Sequence, residues 1–336
     1  MGTIMHKEPA PDHAESRWGT VTNHLPAGGS VRVLLIGAWG FIGSHIRAAL
    51  ESDNKVDVIG MTRRPANEAQ AAGTTRVHGD ITIEGTLQKA LAGVDVVINA
   101  ASYTGKSPDL ADSINRRGPL NLISACRRLG LPLIHMGTTA VYGSGPHRNL
   151  PADTAELHPE SVVSQARAIA DDAVLQAGGV VIRPHMVFGQ GDRWFVPTLT
   201  KVFQQISGSI DGPDCHLSLI DAEQLGQLVA LLATDAQPRQ GAFHAAHPSA
   251  IRLSQILQWI DQRITPLDLN LKVSREDAVS KMAELGLSGH QIRLISEDHW
   301  YDAESIWAAT NTKPKPLNLS DSTADWYKSH LKRHLS

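Results

Sequence analysis

Three groups of residues in this 336-residue chain are of types and spacings that could do chemistry. The first is Gly37-Ala38-Trp39-Gly40-Phe41-Ile42-Gly43, which follows a β-branched apolar run and opens a helical pattern. Glycines there let the backbone turn tightly and approach a pyrophosphate. A helix beginning near Phe41 would turn unpaired N–H groups and a positive dipole end toward that anion. The second stretch is Met61-Thr62-Arg63-Arg64, at the end of the next apolar run. An acidic residue about 20 positions beyond the glycines takes the ribose hydroxyls of NAD. Here two guanidinium groups stand in that place, which suits a 2′-phosphate, so the expected cofactor is NADP(H). Asp57 lies within the run, not at its end. The third set comprises acid–base candidates. Tyr103, in the loop Ser102–Lys106, is a candidate proton donor, with a surface or wall aromatic as the plain alternative. His185 follows Arg183-Pro184, and its titration range suits proton transfer, with a hydrogen-bonded pocket histidine as the alternative. Lys106 could neutralise an anionic substrate.

Other chemistries find less support. Among the sixteen histidines, His244 and His247 are three apart but have no third ligand nearby, so no metal is expected. No Gly-x-Ser-x-Gly elbow or Walker turn is present. Cys126 and Cys215 cannot make a disulfide framework, and the first reads as a buried thiol. A net charge of −3 provides no positive field for nucleic acid or an anionic membrane. The expected partner is a small molecule, and a homodimer is left open as the assembly.

These residues must be positioned by an alternation of short apolar runs and helical patterns, the mark of parallel βαβ units. The runs are residues 31–37, 56–61, 75–79, 94–100, 131–137 and 180–184, each nearly continuous in apolar residues as in strands covered on both faces. The fold class expected is α/β: a doubly wound Rossmann sheet over residues 31–187, with the segment 216–247 returning to it. Residues 188–215 and 248–336 would form a smaller substrate-binding lobe, with Arg193, Trp194 and Phe195 as wall candidates. Residues 1–30 read as a mobile extension without an apolar signal core. No run approaches the length needed to span a bilayer, so a cytoplasmic location is expected. His6 breaks the myristoylation pattern that Met-Gly would begin.

From about Val31 to near the C-terminus the chain resembles the extended short-chain dehydrogenases/reductases, including the epimerase/dehydratase-like enzymes. The glycine turn is one match. Gly79-Asp80-Ile81 resembles the stretch that caps the adenine, and Asn99-Ala100-Ala101 with Ser102 the loop beneath the cofactor. Asn115, Gly118 and Asn121 match the following helix. Met136-Gly137-Thr138-Thr139-Ala140-Val141-Tyr142-Gly143 looks like the SSxxVYG stretch, and Arg183-Pro184-His185-Met186-Val187-Phe188-Gly189 like RPxxVYG. The resemblance implies that Thr138 holds a substrate oxygen, that Pro184 and Val187 border the nicotinamide, and that Tyr142 serves packing. It also exposes a departure. The family's Tyr-x-x-x-Lys pair aligns with Val163 and Arg167. Valine has no proton to give. Arg167 could still bond the nicotinamide ribose, but it stays protonated and cannot relay a proton.

The expected function is therefore an NADP(H)-dependent oxidoreductase with a non-standard active site, acting on a small carbonyl, imine or activated alkene. Two alternatives remain open at this point. One is non-redox elimination, isomerisation or cyclisation on the same fold; the other is an NADP(H)-binding sensor or scaffold without turnover.

Overall fold

The computed structural model describes residues 29–63, 74–211, 214–236, 239–287 and 289–334. Arg64 and all but the last two residues of the expected N-terminal extension lie outside the described residues. Seven parallel strands form the central sheet: β1 (Val31–Ile36), β2 (Val56–Thr62), β3 (Thr75–His78), β4 (Val96–Asn99), β5 (Leu133–Met136), β6 (Val180–Pro184) and β7 (Gly241–Ala245). Their order is β7-β6-β5-β4-β1-β2-β3. The inner runs form strands because each supplies residues to both covered faces, whereas β3 at the sheet edge packs only half-buried Val77 against the second. Val31, Val33 and Leu35 of β1 enter one core and Leu34 and Ile36 the other.

The first face is covered by helices α1 (Phe41–Glu51) and α6 (Ala222–Thr234), through Ile46, Leu50, Leu225 and Val229. The second is covered by α2 (Glu84–Ala90), α3 (Gly118–Leu129) and α4 (Val162–Gln176), through Leu87, Leu122 and Val174. Cys126 is buried there, and burial pushes its thiol up to about 12, which makes it an inert packing group.

Of the segment expected to return to the sheet, only Gly241–Ala245 does so, pairing with β6. Residues 216–221 instead make two short strands outside it: His216–Leu217 pairs with Ile251–Arg252 and with Leu217's neighbour His299, while Leu219–Asp221 pairs with Met186–Phe188. That short apolar run has a partner nearer than the central sheet because the chain after Pro184 turns out of β6 directly into Met186–Phe188. A separate core lies beyond, built from helices α5 (Phe195–Ile206) and α7 (Leu253–Arg263) and the helix Asp321–His334. Phe195 is 2% exposed within it. It is therefore a core residue and not a wall of the site, because Asp192 accepts the Trp194, Phe195 and Val196 N–H groups and fixes the start of α5 with the ring turned inward. Among the described residues no helix is long and apolar enough to cross a membrane.

Candidate active site

Because all seven strands are parallel, Gly37, Thr62, Asp80, Ala100, Thr138 and His185 all emerge at one edge of the sheet, its carboxyl edge. The chain reverses its direction of winding between β1 and β4, where an open α/β sheet forms its crevice. At that point Ala100 N–H donates to Ile36 O at 2.9 Å. Gly37 has φ +80°, and an added Cβ would lie 2.8 Å from the Ala100 carbonyl carbon and the Ala101 nitrogen. Gly43 is equally constrained, since a Cβ there would come within 2.0 Å of Gly37 O. Gly40 differs. A Cβ would meet only Gly37 O, at 3.2 Å, and otherwise open space. Gly40 caps α1 and has no side chain to accept from the helix's first N–H groups. Trp39 and Gly40 are exposed and Phe41 and Ile42 half-buried. A cradle that side chains would fill, below an uncapped helix start, fits a pyrophosphate.

Around this cradle, Arg63 is exposed at the end of β2 and Thr62 half-buried. Asp57 stands at the opposite end of that strand, in register with Arg32 and bonded to Ser30. The Asp80 carboxylate accepts from Thr82 N and Thr82 Oγ1, both at 2.8 Å, shaping the entry to α2. Ile81 is buried against Gly118, and its carbonyl accepts from Asn121. Ala101 is half-buried and Ser102 exposed in the loop after β4. Pro184 is buried at the end of β6, and Val187 is half-buried.

The residues at the reacting end take up more specific roles. Thr138 Oγ1 accepts from Ala140 N at 3.2 Å, at the head of a short turn, Thr139–Tyr142. Val163 and Arg167 sit four residues apart on the first turns of α4, whose start is fixed by the Ser161–Ser164 capping box. Arg167 Nη2 donates to Met136 O (3.0 Å) and Gly137 O (2.8 Å). It ties α4 to the end of β5 immediately before Thr138. Burial lowers the Arg167 guanidinium below its ordinary value, and the nearby Asp171 opposes that shift. Tyr103 turns back on its own loop, where its hydroxyl accepts from Ser107 N at 3.0 Å, while Asn115 holds its backbone N–H and C=O. Asn115 lies in a π-helical stretch, Ala111–Arg117, a distortion frequent at functional sites. Lys106 is exposed.

His185 has a partner that the sequence did not single out. Its Nδ1 lies 2.8 Å from Thr139 Oγ1, the residue after Thr138. Its ring stacks on His299 and packs beside Tyr301, with centroids 5.6 and 5.1 Å away. The Tyr301 hydroxyl in turn lies 3.1 Å from His147 Nδ1. No motif or spacing in the sequence links the His-Trp-Tyr stretch at 299–301 to His185.

Behind this cluster the hydrogen-bond directions are forced. His244 Nδ1 faces Asp302 O (3.0 Å), which can only accept, so His244 Nε2 must accept from the Tyr142 hydroxyl at 2.7 Å. Tyr142 oxygen then accepts from Arg183 Nη1 at 2.9 Å, and Arg183 Nε donates to Asp171 Oδ2 at 2.8 Å. Burial lowers His244 to about 4 and raises the Tyr142 phenol, so both stay neutral and Tyr142 spends its proton inside the protein. Burial likewise lowers His135 to about 3, assisted by the Arg167 charge. Its Nδ1 accepts from Asn99 Nδ2 at 3.1 Å, while Asn99 Oδ1 holds the Ala101 N–H under the cradle. No group of histidine, cysteine and carboxylate side chains among the described residues could hold a metal ion.

Fold and cradle together define a Rossmann protein of the dinucleotide-binding class. The signature of the NAD dependent epimerase/dehydratase family matches residues 33–211, and the chain belongs to that family, within the extended short-chain dehydrogenases/reductases. It is 30% identical to sterol-4-alpha-carboxylate 3-dehydrogenase, decarboxylating, of Saccharomyces cerevisiae over 51% of this chain and 55% of that protein. It is 28% identical to dTDP-4-dehydrorhamnose reductase of Mycobacterium tuberculosis over 67% of this chain and 73% of that one. The chain thus spans little more than half the length of the first relative. The Bordetella bronchiseptica enzyme WbmG, solved in complex with NAD and UDP, superposes with a TM-score of 0.69 at 15% identity, over 91% of this chain and 96% of that one.

Proposed function

We propose that this protein is an NADP(H)-dependent reductase of a small carbonyl, imine or activated alkene, in which His185 with Thr139 replaces the family's tyrosine as the source of the proton. The observation that carries the reading is the 2.8 Å Thr139–His185 pair, one residue from Thr138 and at the same sheet edge as the glycine cradle. Support for an oxidoreductase comes from relatives that are dehydrogenases and reductases. Arg63, with no carboxylate at the end of β2, supports the phosphorylated cofactor.

When bound, the dinucleotide supplies a hydride to the electrophilic carbon of the substrate. The chain's own residues do the rest. Thr138 holds the substrate's oxygen or nitrogen, and His185 gives that atom a proton, so that hydride and proton together complete the reduction. Thr139 fixes the ring, and Arg167 fixes the Gly137–Thr138 backbone through its two carbonyl bonds. Val163 contributes an apolar wall, which suits a substrate needing less acid help than an unactivated ketone. The separate core beyond residue 188 forms the lobe that closes over the substrate.

NADPH consumption at 340 nm with a panel of ketones, imines and enones tests this. His185→Gln should lower kcat by about a hundredfold, in the range of one general acid, and leave the NADPH dissociation constant unchanged. Full turnover in His185→Gln would remove His185 from the reaction.

A further inference from the structure

Trp39 is 39% exposed in the glycine turn, yet its ring is pinned. Its far edge rests on Gly60 of β2, where an added Cβ would lie 2.4 Å from Cη2. Gly60 is in register with Arg76 of β3, and the Arg76 guanidinium lies over the indole, 4.7 Å from the ring centroid. Arg76 Nε is buried with no hydrogen-bond partner, and no carboxylate pairs with this guanidinium among the described residues. A partly buried charge without a counter-ion is costly, and the indole face offsets only part of that cost. What remains is a flat fork of donors held in place before any ligand arrives. It lies between the glycine turn and β3, on the side of β1 where Arg63 also stands. This is the side of the crevice that receives the adenosine half of a dinucleotide.

We propose that Arg76, seated on Trp39, is a second cation for the 2′-phosphate of the cofactor's adenosine ribose, acting with Arg63. The inference rests on the NADP(H) reading and adds to it the residue that does most of the discrimination. Arg63 is exposed and must lose side-chain freedom to grip an anion, whereas Arg76 is already ordered by stacking. A phosphomonoester dianion between two guanidiniums has both charge and fork geometry satisfied. The absence of a side chain at Gly60 then has a functional reason, because any larger residue would displace the indole on which Arg76 lies.

The test is titration of NADPH, NADH and 2′,5′-ADP against wild type, Arg63→Ala, Arg76→Gln and Trp39→Leu. Arg76→Gln should weaken NADPH and 2′,5′-ADP about tenfold or more while NADH stays within about twofold. Trp39→Leu should reproduce part of that loss with Arg76 intact. An unchanged NADPH-to-NADH ratio in Arg76→Gln, with the ratio reduced in Arg63→Ala, would overturn the role of Arg76 and leave the NADP(H) reading standing. Equal loss of both cofactors would reduce Arg76 to a structural residue and overturn the proposal as well. A wild type without preference would overturn both readings. Should Arg76→Gln fail to fold, Arg76→Lys keeps the charge without the fork and must still lower the ratio severalfold; no change there counts against the proposal.

Discussion

At Gly43 the backbone has no room for a methyl group, because its Cβ would lie 2.0 Å from Gly37 O and 2.8 Å from the Gly37 carbonyl carbon. Gly43→Ala must therefore shift α1 against β1, and we expect a loss of about 1–3 kcal/mol of stability, as for overpacking of a close contact. A lowered melting temperature without any ligand is the readout; an unchanged one would mean the turn relaxes freely. The glycine motif was legible in the sequence because glycine spacing reports on backbone space directly. Thr139, Arg76 and Tyr301 were not. Their importance comes from pairing with His185, Trp39 and His147, residues 46, 37 and 154 positions away. No local pattern encodes such distances.

Among the elements, the strands read best. All but the edge strand β3 lie between two cores and are apolar on both faces, and the observed bounds differ from the expected runs by two residues at most. The stretch 216–221 read as part of the same sheet because a short apolar run does not reveal its pairing partner. Helix α4 shows how an element carries chemistry indirectly. Arg167 aligns with a lysine that would face the cofactor ribose, but its Nη2 bonds go to the carbonyls of Met136 and Gly137. Arg167→Ala leaves both carbonyls without these donors and should cost about 1–3 kcal/mol. Because those carbonyls precede Thr138, kcat should fall more than the NADPH dissociation constant rises. A change in cofactor affinity alone would instead place the guanidinium on the ribose. Val163→Tyr/Arg167→Lys should gain reduction of ordinary ketones, and no gain would count against the alignment of this helix.

Across the whole molecule, buried histidines make stability depend on pH. His135 and His244 are lowered to about 3 and about 4 in the folded protein. Unfolded, each titrates near 6.5, so between that value and the folded one the unfolded chain binds more protons and is favoured. Stability from these groups is complete above pH of about 6.5 and declines as pH falls toward 4, by about 1.4 kcal/mol per unit for each group. Denaturant midpoints measured from pH 7.5 to 4.5 should fall accordingly, and His135→Asn should flatten the slope. An identical slope in that variant would mean His135 is protonated in the folded state. The hydrogen bonds around these buried rings lie on β4, β5, β6 and β7 beneath the site, at Asn99, His135, Arg183 and His244.

The central claim is that the turn Gly37–Gly43 is a cofactor cradle and not merely a tight structural turn. The most direct measurement is NADPH titration by quenching of tryptophan emission, on wild type and Gly40→Val, with thermal melts of both without ligand. An added Cβ at Gly40 meets only Gly37 O, at 3.2 Å, where one at Gly37 or Gly43 would meet backbone at 2.8 Å or 2.0 Å. We predict that Gly40→Val melts close to wild type and loses at least about a hundredfold in NADPH affinity, because its branched side chain occupies the room left for the pyrophosphate. Unchanged NADPH binding by a folded Gly40→Val protein would contradict it.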